Sequence, residues 1–392
     1  MKIAIVTPGV LPVPSVKGGA VETLIDYYIE YNELNLEHEI TVYGIDDNKF
    51  SNIAFDQYKK TKFDLINQNS FKYKLKRKIY SLFCKRFYYN SFLDFFAVSV
   101  GKKIIGIQFD VIVVENRPGF ILPLSQYTNA KLILHLHNET LDSRTQDAKK
   151  IFECCTKVFT VSNYVKTKVD TIMPTDKVNV VYNGIDLDRF KNPPYSDVNR
   201  NSFNLLKDDF VVVYTGRIEP VKGVKELLEA FSLLAVYDKI KLLIVGGGNG
   251  NINEGLFFSE MYELASSMPE KVVFTGFQSY EKVPSILHLC DIAVIPSVWE
   301  EPLSLTSLEG MAVGLPLVVT RSGGIPEAID EMCAIIIEKD SILVENLAKS
   351  ILVLYNDQNM RSEMSKHAKD RSALFSKENY CESFFQRICE LR

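Results

Sequence analysis

The sequence predicts two doubly wound α/β domains of nearly equal size, and two observations support this fold class. Short apolar strands rich in Ile and Val alternate with stretches of helical periodicity, and the alternation restarts after a polar stretch with two prolines at 191–202. Continuous apolar strands are typical of parallel sheets covered by helices on both faces. Ligands of such sheets bind beyond the carboxyl ends of the strands, so two such domains facing each other would hold a ligand in the cleft between them.

The first half opens with a predicted βαβ unit. An apolar strand at 2–7 leads into a loop with Gly18 and Gly19, and a helix from Ala20 is followed by a second strand in HEITVYG. Further strands are predicted in FDVIVVE, AKLILHLHN, KVFTVS and VNVVYNG. We expect the first domain to span residues 1–190.

The second half repeats this order of elements. Its strands are predicted in FVVVYTGR, IKLLIVGGG, KVVFTG, DIAVIPS and LPLVVT, and its helices in GVKELLEAFSLLA, VPSILHLC and LTSLEGMAVG. We expect the second domain to span 191–370, followed by a segment of helical pattern at 371–392.

Composition excludes several classes of protein. The 392 residues are 46% hydrophobic and carry a net charge of −4, which argues against a disordered chain and against a protein that coats nucleic acid. The seven cysteines are odd in number and include no C-x-x-C, so a disulfide framework and a zinc site are not indicated, and a reducing cytosol fits. The apolar run at the N-terminus is too short for a signal peptide, and no run of 18 apolar residues predicts a membrane span.

The strongest chemical signal lies in SVWEEPLSLTSLEGMAVG, where a strand, a short loop and a helix follow one another. Glu301 falls in the loop and Glu309 lies eight residues later inside the helix, so both carboxylates can face the strand ends. The amides at the start of this helix would form a positive anion-binding end, contributed by Leu303, Ser304, Leu305 and Thr306. The alternative is that both carboxylates are solvated and that Glu300 and Glu301 merely cap the helix.

A second signal is GRIEPVKG, directly after a predicted strand. Arg217 and Lys222 flank a proline turn, and both cations could converge at the carboxyl end of that strand. Arginine grips phosphate through two hydrogen bonds and lysine acts as a point charge. The alternative is two surface cations on a loop.

Two weaker signals lie in the first half. Gly18 and Gly19 permit close approach of the backbone to a ligand, or form an ordinary tight turn. His135 and His137 share one face of their strand, and His137 is nearer its carboxyl end. A lone histidine is more often a core residue than a catalytic one, and we identify no third ligand near this pair, so no metal site is predicted.

Residues 59–103 are basic and aromatic. Twelve Lys or Arg against two Asp give this segment a charge of +10, which leaves −14 for the rest of the chain. Three interpretations stay open: a solvated helical face with buried aromatic residues, docking on an anionic membrane surface, and nucleic-acid binding. No recognition motif accompanies the charge, so nucleic acid is the weakest of the three.

Taken together, the motifs resemble the family 4 retaining glycosyltransferases, bacterial members of which build surface polysaccharides. The resemblance covers residues 1 to about 330 and rests on GGAVE at 18–22, VSNYV at 161–165, NGID at 183–186, GRIEPVKG and EPLSLTSLEGMAVGLPLVVT. It implies the GT-B fold, in which two Rossmann-like domains face a cleft. The first would bind the acceptor, the second a nucleotide-diphosphate sugar, and the helix at 371–392 would cross back to the first domain.

The resemblance also implies roles in donor binding. Arg217 and Lys222 match the residues that hold the diphosphate, and Glu309 matches the carboxylate that bonds the ribose hydroxyls. Gly18 and Gly19 match the loop that approaches the phosphates from the other domain. Gly276 lies in the segment that resembles the lining of the base. Where the family often has Phe and Gly, this chain has Leu303 and Ser304, which weakens any inference about the sugar.

Catalytic roles are implied for two residues. Glu301 matches the carboxylate that faces the transferred sugar, and His137 matches the histidine near the sugar and the developing charge. Asp186 and Asp188 form an Asp-x-Asp only by letters, because they lie inside NGID, and we expect neither metal nor cofactor.

The expected protein is a cytoplasmic, metal-independent, retaining glycosyltransferase, peripheral at the inner face of the membrane if residues 59–103 dock there. Its expected donor is a nucleotide-diphosphate sugar, UDP-linked as a prior from the family, and its expected acceptor is a growing, lipid-linked or free cell-surface polysaccharide. Two alternatives remain, a UDP-sugar 2-epimerase on the same fold and a non-catalytic partner subunit that binds sugar nucleotides.

Overall fold

A computed structural model of the chain divides it into two compact α/β units. Unit 1 comprises Met1–Gly184 and Glu378–Arg392, and unit 2 comprises Ile185–Lys377. The structure describes residues 1–52, 55, 58–84, 86–192, 195, 197–247 and 252–392. Part of the polar stretch expected to link the domains, at 193, 194 and 196, lies outside the described residues, as does Lys85 of the basic segment.

Unit 1 is built on a seven-stranded parallel sheet. Its strands are β1 (Lys2–Val6), β2 (Glu39–Ile45), β3 (Thr61–Ile66), β4 (Val111–Glu115), β5 (Lys131–Leu136), β6 (Lys157–Thr160) and β7 (Val178–Val180). The spatial order is β3-β2-β1-β4-β5-β6-β7. The order reverses between β1 and β4, which is where open sheets of this kind bind ligands beyond their strand ends.

Helices cover both faces of this sheet. They are α1 (Ala20–Asn35), α2 (Phe71–Phe83), α3 (Ser91–Ile104), α4 (Ile121–Ser125), α5 (Ala148–Cys154) and α6 (Asn163–Asp170). In the numbering used below, α7–α14 belong to unit 2 and α15 is the last helix of the chain, Lys377–Cys389. From Glu378 onward α15 belongs to unit 1, where Tyr28 of α1 and Phe384 stack with ring centroids 4.4 Å apart.

Unit 2 has a six-stranded parallel sheet of the same kind. Its strands are β8 (Phe210–Thr215), β9 (Ile240–Val245), β10 (Val272–Gly276), β11 (Ile292–Ile295), β12 (Leu317–Thr320) and β13 (Ala334–Ile337), in the order β10-β9-β8-β11-β12-β13. Its helices are α7 (Leu187–Lys191), α8 (Val224–Leu233), α9 (Ile252–Ser266), α10 (Val283–Leu287), α11 (Leu305–Val313), α12 (Ile325–Ala328), α13 (Leu343–Asn356) and α14 (Gln358–Ser372).

Each unit has its own apolar core. Because strands and helices both contribute buried apolar residues to that core, their alternation produces a recognisable pattern in the sequence. Residues of β8, β9 and β11 are buried with those of α8 and α13 in unit 2. Residues of β1, β2 and β4 are buried with those of α1 and α15 in unit 1.

The predicted fold class, two doubly wound α/β domains, is confirmed. Among the described residues no helix is both long enough and apolar enough to cross a membrane.

Candidate active site

In unit 2, Lys222 is held where β8 meets its neighbour β11. Lys222 closes a short 3-10 turn, and Gly223 then opens α8 at φ 73°. A Cβ at Gly223 would lie 1.9 Å from the carbonyl oxygen of Pro296, so only glycine permits this contact. The amides of Val298 and Trp299 both donate to the carbonyl of Val221, which ties the lysine turn to the loop after β11.

Glu301 is the partner of Lys222 in this structure. Lys222 Nζ donates to Glu301 Oε1 at 2.7 Å, and Ser297 Oγ donates to the same oxygen at 2.7 Å. Glu301 is buried, and its own amide donates to Ser322 Oγ in the loop after β12. Loops from three adjacent strands therefore fix one carboxylate and one cation at the carboxyl end of the sheet.

Helix α11 starts four residues beyond Glu301. Ser304 is its N-cap, and Ser304 Oγ accepts a hydrogen bond from the amide of Ser307. Leu303 and Ser304 are buried, whereas Leu305 and Thr306 are half-buried. The positive end of this helix therefore follows closely along the chain after Glu301, the partner of Lys222.

Glu309 lies on α11 and is only 7% exposed. Burial raises the pKa of the Glu309 carboxyl to about 8. A neutral, buried carboxyl within reach of solvent is suited to hydrogen bonding with hydroxyl groups of a ligand. The alternative of a fully solvated Glu309 does not fit this burial.

The raised pKa of Glu309 predicts a pH-dependent stability. Because the pKa of Glu309 is higher in the folded than in the unfolded protein, its contribution to the free energy of unfolding is fully present below the ordinary carboxyl pKa. This contribution is lost as pH rises through about 8. Glu309→Gln should therefore leave the free energy of unfolding nearly unchanged near pH 4.5 and raise it by about 3–5 kcal/mol at pH 9. Urea unfolding of the ligand-free protein across this range measures the effect. Glu345→Gln, at an exposed glutamate of α13, is the control, and a gain that does not change with pH would contradict the prediction.

Two further donor-binding candidates occupy the same edge of the unit 2 sheet. Arg217 follows β8, is largely exposed, and its guanidinium donates to Glu219 Oε1 at 2.7 Å. Gly276 ends β10 at φ 67°, and a Cβ there would meet no atom within 4 Å. Arg217 therefore lies just beyond the carboxyl end of β8, and Gly276 forms the carboxyl end of β10. Asp186, by contrast, caps α7 and pairs with Lys377 at 2.8 Å.

In unit 1, Gly18 and Gly19 form the turn that starts α1. Gly19 is the N-cap at φ 110°, and a Cβ there would lie 2.2 Å from a carboxylate oxygen of Glu22. Burial raises the pKa of Glu22 to about 7. The glycine therefore makes room for a buried acid at the first turn of the helix, which the sequence analysis did not identify as a candidate.

A group of buried polar side chains in unit 1 centres on Glu115, the last residue of β4. His135 lies opposite Glu115 in the sheet register, and His137 follows directly after β5. Glu115 Oε2 lies 2.8 Å from His137 Nε2 and 3.2 Å from His135 Nδ1. Tyr28 donates its hydroxyl to Glu115 Oε1 at 2.5 Å. Glu115 and His135 are fully buried, and the side chain of His137 is 6% exposed.

Opposing effects set the charges of this group. Burial raises the pKa of the Glu115 carboxyl, but attraction to His135 and hydrogen bonds from both histidines outweigh it and hold the pKa well below the usual range. Burial and the neighbouring His135 lower the pKa of His137, against the pull of Glu115. The result is an ionised carboxylate that orients an imidazole that stays neutral at pH 7.

The expectation that the two histidines have no third ligand nearby is wrong, because Glu115 supplies one. The three side chains present ligand atoms that lie within 4.8 Å of one another, a grouping that could hold a metal ion. Sequence reasoning missed Glu115 because it lies 20 residues from His135 on another strand. Its position at the end of FDVIVVE, next to KLILHLHN in a parallel sheet, was the available signal.

Comparison with known families matches both units. Residues 196–371 match the family described as "Glycosyl transferases group 1", and residues 36–189 match "Glycosyltransferase Family 4". Among curated proteins, the chain is 26% identical to "Putative glycosyltransferase YtcC" of Bacillus subtilis (strain 168), over 96% of this chain and 89% of that protein.

Two further comparisons are informative. "Lipopolysaccharide 1,2-N-acetylglucosaminetransferase" of Salmonella typhimurium is 26% identical over 59% of this chain and 60% of that protein. The crystal structure of Anabaena Alr3699/HepE in complex with UDP superposes with a TM-score of 0.75 at 18% identity, covering all of both chains. That structural likeness establishes the fold of this chain, and the family matches establish its class of enzyme.

Proposed function

The chain is a glycosyltransferase of the GT-B fold, and from this premise we propose that it transfers a sugar, with retention of configuration and without a metal ion, from a UDP-sugar to a growing surface polysaccharide. One observation carries the proposal. Lys222 and Glu301 meet at 2.7 Å beside the N-terminus of α11, at the carboxyl end of a parallel sheet.

Breaking the bond between an anomeric carbon and a diphosphate leaves negative charge on the diphosphate. Lys222, Arg217 and the amides at the start of α11 would stabilise that charge, and Glu301 already holds Lys222 in its turn. Such fixed cations and dipoles lower the barrier because they need no reorganisation during the reaction. The acidic partner Glu301 keeps Lys222 in position and is itself placed to accept hydrogen bonds from a sugar.

We assign the second catalytic role to His137, which Glu115 and Tyr28 hold in place. A neutral imidazole can share a hydrogen bond with a sugar hydroxyl without adding repulsion to the positive charge that develops at the anomeric carbon. We assign no nucleophile to the protein; the acceptor attacks from the face that the diphosphate leaves, and the diphosphate takes the acceptor's proton. The proposal of a metal-independent reaction rests on the family resemblance; among the described residues, both ring nitrogens of His135 and Nδ1 of His137 have no hydrogen-bond partner.

The acceptor is proposed to be a saccharide carried on a lipid or a free polysaccharide end, with the enzyme in the cytoplasm and an anionic membrane surface as its partner through residues 59–103. The Salmonella relative, whose name refers to lipopolysaccharide, supports this class of acceptor. The UDP bound in the HepE crystals supports the base of the donor.

Thermal unfolding in the presence of UDP, GDP, ADP, TDP and CMP tests the donor site. A nucleotide at 100 times its dissociation constant should add about 2.7 kcal/mol to the free energy of unfolding. We expect UDP to stabilise the wild-type protein and to stabilise the Arg217→Ala variant much less. Arg217 is exposed, so its removal should not affect folding; Lys225→Ala, at an exposed lysine of α8, is the matched control.

The outcomes separate the candidate functions. Stabilisation by no nucleotide would contradict the donor site. Stabilisation by UDP without sugar transfer, but with conversion of UDP-N-acetylglucosamine to its 2-epimer, would assign the epimerase activity. Stabilisation without any turnover on saccharide acceptors would assign a non-catalytic binding subunit.

A further inference from the structure

Helix α2 has an inner face that packs against its own domain. Tyr73 is buried, and its ring centroid lies 4.9 Å from that of Phe95 on α3. Tyr80 is half-buried and lies 5.4 Å from the same ring. The two tyrosines are seven residues apart, so they lie on one side of the helix and define its inner face.

The opposite side of α2 is also apolar, and it is exposed. Phe71, Leu75, Ile79 and Leu82 follow one another at spacings of four, four and three residues, and Phe83 extends the stripe at its end. Phe71 and Phe83 are each 82% exposed, and Leu82 is 74% exposed. Apolar side chains of this size at helical spacing would ordinarily be covered, so this face fits a surface outside the chain.

Exposed lysines border this stripe on both sides. They are Lys72, Lys74, Lys76 and Lys78. Within the part of the chain that the structure describes, none of the four forms an ion pair. Their charge is therefore available for an anionic surface. The four lysines lie within the same turns of α2 as the exposed apolar side chains.

We propose that α2 lies in the interface of an anionic lipid bilayer, with Phe71, Leu75, Ile79 and Leu82 buried among the acyl chains and the lysines at the headgroups. A stripe of Phe and Leu flanked by Lys matches the layering of a bilayer surface, which offers apolar and anionic groups at adjacent depths. The helix has 13 residues and is about 20 Å long, enough to lie along the surface and too short to span the membrane. This inference rests on the proposed function only for its purpose, which is to bring the enzyme to a lipid-linked acceptor.

Among the described residues of the basic segment 59–103, the exposed large apolar side chains all lie on α2. Phe95 and Phe96 of α3 are buried, and Tyr88 and Tyr89 are half-buried. Lys103 at the end of α3 pairs with Asp64 at 2.7 Å. The sequence pattern of interleaved aromatic and basic residues therefore combines two features, a core contribution from α3 and an exposed face on α2.

Co-sedimentation of the full chain with vesicles tests the proposal. We compare phosphatidylcholine vesicles with vesicles containing 30% phosphatidylglycerol, at low salt and in 0.5 M NaCl, without donor or acceptor. The wild-type protein should bind the anionic vesicles, and binding should fall at high salt, because each lysine near such a surface strengthens binding by about fivefold. Phe71→Ser with Leu82→Ser should weaken binding by at least about tenfold, and Lys74→Gln with Lys78→Gln by about 25-fold.

Matched controls keep the result specific to α2. Leu34→Ser removes an equally exposed leucine of α1, and Lys59→Gln with Lys102→Gln removes two exposed charges from the same basic segment outside α2. All these side chains are exposed, so the variants should fold. Absence of wild-type binding to anionic vesicles, or α2 variants that bind like the controls, would overturn the proposal. So would an α2-dependent dimer in sedimentation velocity without lipid, which would assign this face to a second copy of the chain. Nucleotide binding is measured separately, so failure here leaves the proposed donor site intact.

Discussion

Replacing Lys222 with alanine should lower the turnover of sugar transfer by about 100- to 1000-fold. The lysine is held at 2.7 Å from Glu301, in a turn that Gly223 packs against the end of β11. A fixed cation of this kind stabilises charge that appears on the leaving diphosphate, and removing one such group costs about 10²–10³ in turnover. Steady-state rates with the donor named by the thermal panel give kcat and KM separately, and we expect the loss mainly in kcat.

Two variants separate the charge of Lys222 from its place in the turn. Lys222→Arg keeps the positive charge but spreads it over a planar guanidinium, so its rate should lie between those of Lys222→Ala and the wild-type enzyme. Lys225→Ala removes a lysine three residues along the chain that pairs with Glu260 at the surface, and it should leave the rate unchanged. A Lys222→Ala enzyme within threefold of the wild-type kcat would refute the assignment. Because Glu301 contacts Lys222 directly, Glu301→Gln combined with Lys222→Ala should cost less than the sum of the two single losses.

Much of the unit 2 site could be predicted from the sequence because its parts are close along the chain. Glu301, Ser304 and Glu309 fall within nine residues that run from the loop after a strand into a helix, so one connection brings them to one edge of the sheet whatever the strand order. The pairing of Lys222 with Glu301 could not be predicted, since it depends on β8 and β11 being neighbours although β9 and β10 lie between them in sequence. That order is a property of the whole sheet.

Two strands, β3 and β13, were not predicted from the sequence, and the reason is again physical. β3 carries Lys62 and Asp64 among its apolar residues, as an edge strand does, so it lacked the continuous apolar run of a central strand. β13, an edge strand of the unit 2 sheet, was also missed, because it has only four residues. Glu115 was missed because a carboxylate at the end of an apolar strand carries no periodicity, and only the register that sets it opposite His135 reveals its partners.

Glu115→Gln should lower both stability and activity. The carboxylate is fully buried and accepts hydrogen bonds from Tyr28 and His137, and Gln keeps only one of the two accepting oxygens, with an NH2 group in place of the other. Breaking a buried charged group of this kind costs about 3 kcal/mol in the free energy of unfolding. Because His137 loses the group that orients it, turnover should fall by about 100-fold, the cost of a misplacement near 1 Å. Urea unfolding and steady-state kinetics at pH 7 measure the two effects.

Graded and matched variants show whether Glu115 acts as this structure suggests. Tyr28→Phe removes one hydrogen bond to the carboxylate and should cost about 1.5 kcal/mol with a smaller loss of turnover. Glu39→Gln alters an exposed glutamate on β2, a strand of the same sheet that does not pair with β4, and should change neither quantity. Metal analysis provides the contradicting outcome. If the purified wild-type protein holds one equivalent of metal and Glu115→Gln does not, Glu115 and the histidines form a metal centre, and the proposal of a metal-independent reaction is refuted.

The pH dependence distinguishes a buried carboxylate from a purely steric role of Glu115. The folded-state pKa of Glu115 lies below its ordinary value, so its contribution to stability is present at neutral pH and is lost as pH falls through and below the carboxyl range. The lowered pKa of His137 acts in the same direction, because acidification below about pH 6.5 favours the unfolded chain, in which the imidazole is free to protonate. Wild-type stability should therefore decline on acidification, and its advantage over Glu115→Gln should narrow below about pH 4.5. A difference between the two proteins that stays constant down to pH 4 would mean that the side chain acts by its shape, and His137 would then be positioned by packing rather than by charge.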